Sequence, residues 1–346
     1  MLATTIALLA FAQNPMATWP NSKAFPNTPG EKHLRNVRQL TFGGDNAEAY
    51  WSVDGTKIVF QSRQPNYPDE QIYVMNADGS GKRLVSTGKG RCTCSYFTPD
   101  GKFIYFSSTF EKNPGAQPSL DMSLGYVWMV NPQFSLYRVN VDGTGLTKIM
   151  DKNEYLAETT IAPNGKYMTF TGAWEGDLEI YRANLDGTRV RRLTHHEGYD
   201  GGPFVSWDSK WITYRRDRID TPAEAKDFHD LLDKHLVRPS KLEIMLMDSE
   251  GRNQRQITDL DCASFAPFLT PDSKRIIFSS NFGDPKGREF ELWMIGVDGH
   301  GLERITRSPE FDGFPMFSRD GKKLVFASNR GGSNHETDIF VADWVE

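Results

Sequence analysis

The chain is expected to be all-β, a six-bladed propeller of four-stranded blades, and three observations predict it. Six Asp- or Asn-centred turns recur along the 346 residues, at Asp54, Asp100, Asn164, Asp208, Asp272 and Asp320. Four and six residues after each centre stands the same apolar pair: Ile58 and Phe60, Ile104 and Phe106, Met168 and Phe170, Ile212 and Tyr214, Ile276 and Phe278, Leu324 and Phe326. The sixth repeat lacks an outer strand, and the N-terminal end carries a spare copy of it. A spacing of two places both members of a pair on one face of a strand, and a Gly- or Ser-containing turn before it makes a hairpin corner. Self-similarity at this period is the mark of a repeat fold.

From the N-terminus, Leu2 to Ala12 is an apolar stretch ending Ala10-Phe11-Ala12. Its small-x-small end predicts a signal peptide over 1–12, although the basic n-region is missing. Residues 13–36, with five Pro or Gly punctuators from Pro15 to Gly30, read as a Pro-rich linker. Val37-Arg38-Gln39-Leu40-Thr41 reads as the outer strand of blade six, closing the ring so that no strand edge is left unpaired. The propeller then spans 37–346. Third strands are expected at Ile72–Met75, Leu136–Val139, Ile180–Tyr181, Ile244–Met247, Leu292–Met294 and Ile339–Val341. Five of them turn into short outer strands such as Arg192-Leu193-Thr194 and Arg304-Ile305-Thr306.

Successive turn centres are 46, 64, 44, 64 and 48 residues apart, so two repeats carry extra chain. Both insertions, at 109–134 and 216–241, join a second strand to a third, and so share one face and flank blade three. The first is rich in apolar residues, among them Tyr126, Val127, Trp128 and Met129, and is expected to fold back as a lid or rim. In the second, Thr221-Pro222-Ala223-Glu224 is a capping box. Phe228, Leu231, Leu232 and Leu236 follow at helical spacing, so a helix is expected over 222–236, ending before Pro239.

Composition narrows function. A net charge of −5 with mixed signs gives no basic footprint for nucleic acid. No apolar run reaches the roughly 20 residues of a membrane helix. The chain is expected to be monomeric and periplasmic or secreted. Cys92 and Cys94 are too close in sequence for an unstrained bridge, and the three cysteines read as small buried residues.

Two rows of inner-strand residues are candidates to face the channel. Eight before each turn centre come Asn46, Cys92, Leu156, Asp200, Ser264 and Asp312; six before come Glu48, Cys94, Glu158, Gly202, Ala266 and Phe314. Glu48, Glu158, Asp200, Ser264, Asp312, Tyr199 and Phe311 are the expected ligand-binding set. Converging carboxylates either hold a hard cation, with Asp200 and Asp312 as ligands and Ca²⁺ the first candidate, or bond to loop amides and arginines. His195 and His196 stand just upstream, as a ligand to a metal or as solvated loop residues.

The repeats Ser-x-Asp-Gly-Lys-x-apolar-x-Phe, Tyr-x-Met-Asn-x-Asp-Gly and Arg-x-Leu-Thr resemble the WD40-like (PD40) repeats of the TolB propeller family over about 37–346. The stretches Gly198–Phe204, Phe311–Ser318 and Leu236–Glu243 look like an exported subgroup of it. The resemblance implies a periplasmic protein that binds protein partners through the channel mouth. The family's N-terminal α/β domain has no counterpart in this sequence. Similar propellers occur beside prolyl-oligopeptidase-type hydrolase domains and in oligogalacturonate lyases. Neither a Gly-x-Ser-x-Gly elbow nor the lyase's histidine pattern is found here. Two functions follow as expectations: a non-catalytic exported scaffold binding a protein or peptide, or a metal-dependent lyase or hydrolase acting on an anionic polysaccharide at the same mouth.

Overall fold

The computed structural model describes residues 21–309, 311–331 and 336–346; the apolar stretch Leu2–Ala12 lies outside them. Six antiparallel sheets form the blades, and each meanders outward from an inner strand. Those inner strands are Asp45–Trp51, Cys92–Phe97, Leu156–Ile161, Asp200–Val205, Ser264–Leu269 and Asp312–Phe317. All twelve residues of the repeated apolar pairs are fully buried between blades. The turns that set their register work through one side-chain device. Asp54 accepts hydrogen bonds from the Ser52 hydroxyl at 2.6 Å and the Thr56 amide at 3.0 Å. The same pattern recurs at Asp100, Asp208, Asp272 and Asp320. The residue after each centre needs a left-handed backbone. Gly55, Gly101, Gly165 and Gly321 adopt it without strain, and Ser209 and Ser273 adopt it too.

In five of the six blades the terminal hydroxyl of the outer-strand motif has a structural duty. Ser86, Thr194, Thr258, Thr306 and Thr41 accept from the amides of Ile72, Ile180, Ile244, Leu292 and Ile339, tying the outer edge to the third strand. Ring closure is as expected: Leu34–Gln39 pairs with Asp338–Trp344 and completes blade six. Residues 21–36, from the stretch expected as linker, are docked. Lys23–Ala24 adds a fifth strand beside Leu34–Gln39. The buried Glu31 carboxylate meets Arg330 at 3.0 Å with both oxygens.

No helix among the described residues is long and apolar enough to cross a membrane. The helix Pro222–Leu232 starts on the expected capping box but stops short of 236. His235 turns left-handed, and Leu236–Val237 is drawn into a strand instead. All three cysteines are free thiols.

Candidate functional site

A bulge in every inner strand decides which side chains reach the channel. The ladder to the second strand shifts register after Ala47, Thr93, Ala157, Gly201, Phe265 and Gly313. The next residue in each case, Glu48, Cys94, Glu158, Gly202, Ala266 and Phe314, has a φ of 50–60°. Left-handed backbone costs a non-glycine residue on the order of 1 kcal/mol. Five blades out of six accept that cost. The bulge lifts these residues off the sheet, and all six line one cavity of about 420 Å³.

The row two residues earlier goes elsewhere. Before the bulge the strand is regular, so Asn46, Cys92, Leu156, Asp200, Ser264 and Asp312 face the ends of their own second strands, and all are fully buried. Asp200 forms a two-pronged pair with Arg216 at 2.7 and 2.9 Å. Asp312 bonds Arg330 at 3.0 Å and Ser308 at 2.8 Å. Ser264 shares a hydrogen bond with Ser280 at 2.9 Å. The expectation that Asp200 and Asp312 converge on a cation therefore meets a different geometry: each is closed on its own arginine in a separate blade, and neither lines the cavity. Among the described residues no group of three His, Cys, Asp or Glu side chains is placed to hold a metal ion. His195 and His196 are exposed and outside the cavity. Glu48, Glu158, Tyr199 and Phe311 of the expected set do line it.

At the cavity floor, Glu158 accepts from Thr171 Oγ1 at 2.6 Å, Tyr199 Oη at 2.7 Å and the Gly202 amide at 2.8 Å, and it pairs with Arg215. Burial alone would raise its pKa, but the Arg215 charge and the donated hydrogen bonds outweigh it and hold the carboxyl below its usual range. Glu48 is different. Burial pushes it up to about 7, the nearby Glu158 charge adds to the rise, and a hydrogen bond with the Cys94 thiol offsets part of it. No ion pair to Glu48 occurs among the described residues. Arg91, also in the lining, is engaged by Glu70 at 3.0 Å.

The two insertions roof the cavity jointly. Trp128–Met129 from the first pairs antiparallel with Leu236–Val237 from the second. Arg238 clamps them, donating to Asp227 on the helix at 2.8 Å and to the Leu124 carbonyl at 2.8 Å. The helix stripe packs on this roof: Leu231 and Leu236 meet Val127, while Phe228 meets Val130 and the propeller face. Trp128 points inward, edge-on to Tyr199 and Phe265 with ring centres 6.4 and 5.6 Å away. The Arg215 guanidinium lies 5.2 Å from the Trp128 ring centre and 4.5 Å from that of Tyr199.

The sequence reading did not find Arg215, Gln61, Trp128, Tyr50 and Tyr155 as cavity residues. A third row carries a signal for the first two. Seven residues after each turn centre stand Gln61, Ser107, Thr171, Arg215, Ser279 and Ala327. From this row Gln61 accepts from the Cys94 amide at 3.2 Å, Thr171 from the Gly202 amide at 3.3 Å and Ser279 from the Phe314 amide at 3.0 Å. Each supports the bulge of the next blade, and from the same row Gln61 and Arg215 reach the cavity.

No family model matches the chain. An uncharacterized protein of Agrobacterium fabrum is 23% identical over 263 residues, covering 72% of this chain and 78% of that one. Among solved structures, a putative TolB from Agrobacterium tumefaciens superposes with a TM-score of 0.59 at 19% identity, covering 88% of this chain and 91% of that one. An oligogalacturonate lyase in complex with manganese superposes with a TM-score of 0.52 at 15% identity, covering 94% and 96%. The fold is a TolB-like six-bladed propeller, an architecture shared by TolB proteins and lyases.

Proposed function

We propose that this chain is a non-catalytic, exported scaffold that receives a protein loop or peptide segment in its roofed channel mouth. The observation that carries the reading is the roof: two insertions from non-adjacent blades pair over the mouth and direct Trp128 into an aromatic cavity. Enclosed aromatic pockets with a few placed polar groups are where binding energy concentrates. Export rests on Leu2–Ala12, and a mature N-terminus near Gln13 in protein from its native host is the expected mass-spectrometric result.

A second reading has one observation in its favour. Glu48 and Glu158 share a cavity with their protonation pushed apart, an arrangement suited to acid–base work on an anionic polysaccharide. Peptide-display selection separates the two. Peptides enriched on the native chain should bind Trp128→Ala about tenfold or more weakly. Equal binding to both would move the site off the channel. Cleavage of uronate oligosaccharides, with manganese supplied and abolished by Glu48→Gln, would replace the scaffold reading with the enzymatic one.

A further inference from the structure

Glu158 and Arg215 neutralise each other on the cavity floor, and Arg91 is held by Glu70. Glu48 is left as the cavity carboxylate with no ion pair among the described residues, Arg215 and Arg91 acting on it only from a distance. Its surroundings are the Cys94 thiol and Tyr50, with Tyr155 and Trp128 on the same cavity wall and roof. A hard divalent ion wants six to eight oxygen ligands. This cavity supplies one carboxylate outside any ion pair and a lining of aromatic side chains, Tyr50, Tyr155, Tyr199 and Trp128, which suits an organic cation better. The roof already shows the preference, since Trp128 and Tyr199 hold the Arg215 guanidinium against their rings.

We propose that the segment entering the channel leads with a primary ammonium, from a lysine side chain or a free N-terminus, which seats on Glu48 between the aromatic walls. The proposal rests on the channel-binding reading and names what that channel selects. An ammonium bonded to Glu48 favours its ionised form, so binding takes up the charge that burial otherwise suppresses. The other charged or titratable groups facing Glu48 are Glu158, Arg215, Arg91, Cys94 and Tyr50. Glu158 is already held ionised by Arg215, and burial keeps the Cys94 thiol and the Tyr50 phenol protonated. Glu48 is therefore the group that titrates near neutrality, and binding should strengthen from pH 6 to pH 8.

The test uses n-hexylammonium against n-hexanol on the full chain, read by Trp fluorescence and thermal shift. The ammonium should bind about tenfold or more tightly than the alcohol. Glu48→Gln should remove that preference while keeping the alcohol's weak binding. Two peptide probes separate the sources: one with a free N-terminus and no lysine, and one acetylated with a single lysine. Equal binding of amine and alcohol, or an ammonium preference that survives in Glu48→Gln, would overturn the proposal. If Glu48→Gln does not fold, the pH series on the native chain decides, and a flat response from pH 6 to 8 counts against it. Display-selected peptides that need Trp128 but carry no amine would remove the ammonium while leaving channel binding in place. Ammonium binding with no peptide bound by the native chain would instead remove the segment reading.

Discussion

Asp312 and Phe314, or Asn46 and Glu48, are two residues apart on the same strands, yet the two rows live in different worlds. The earlier row is sealed inside the blades, and its carboxylates Asp200 and Asp312 are matched by Arg216 and Arg330. The later row opens into the channel, where Glu158 is matched by Arg215 and Glu48 is not. In a regular strand, residues two apart share a face. The bulge between these rows breaks that rule in all six blades, so a displacement of two separates a residue sealed inside its blade from one that lines the cavity. The difference teaches that residue type says little here and backbone geometry says most.

Several measurements break or sharpen this contrast. Deleting residues 1–41 removes both the closing strand and Glu31, the second anchor of Arg330. It should cost more than about 5 kcal/mol, enough to prevent cooperative folding, whereas deleting 1–30 should shift Tm by a few degrees. Equal melting of the two truncations would remove ring closure from the account. Arg330→Ala strands two buried carboxylates, Glu31 and Asp312, and should cost about 3–5 kcal/mol by denaturant unfolding. Arg215→Ala strands Glu158 in the same sense, but the cavity admits water, so about 2–3 kcal/mol is expected. A larger loss for Arg215 than for Arg330 would contradict the distinction between the sealed and open rows.

The smallest effect concerns Glu48, which takes its proton near 7 in the fold and near its ordinary 4.5 when unfolded. Between those values the folded chain binds the extra proton, so this group makes stability fall as pH rises from about 4.5 to about 7, with no further change above. Glu48→Gln should therefore raise stability at pH 8 and leave it unchanged at pH 4. About 1–2 kcal/mol is expected, discounted because Glu48 is only partly buried and lines the cavity. A Tm difference that is the same at both pH values would show that Glu48 does not titrate as described.

Much was determined by the sequence alone. The turn centres, the buried apolar pairs, the closing strand and the face that bears the insertions were all legible, because each depends on local periodicity repeated six times. The capping box located the start of the helix for the same local reason. Tertiary structure decided the rest. Its end was lost because Leu236–Val237 finds Trp128–Met129 across the channel, a partner more than 100 positions away in sequence. Which of two carboxylate rows faces the cavity depends on a bulge set by neighbouring blades, through Gln61, Thr171 and Ser279 bonding the next blade's amides. Glu48 and Glu158 could be nominated from their offsets, but only the assembled ring assigns Arg215 to one of them and leaves the other without an ion pair among the described residues, because pairing and burial are properties of the three-dimensional neighbourhood rather than of the strand.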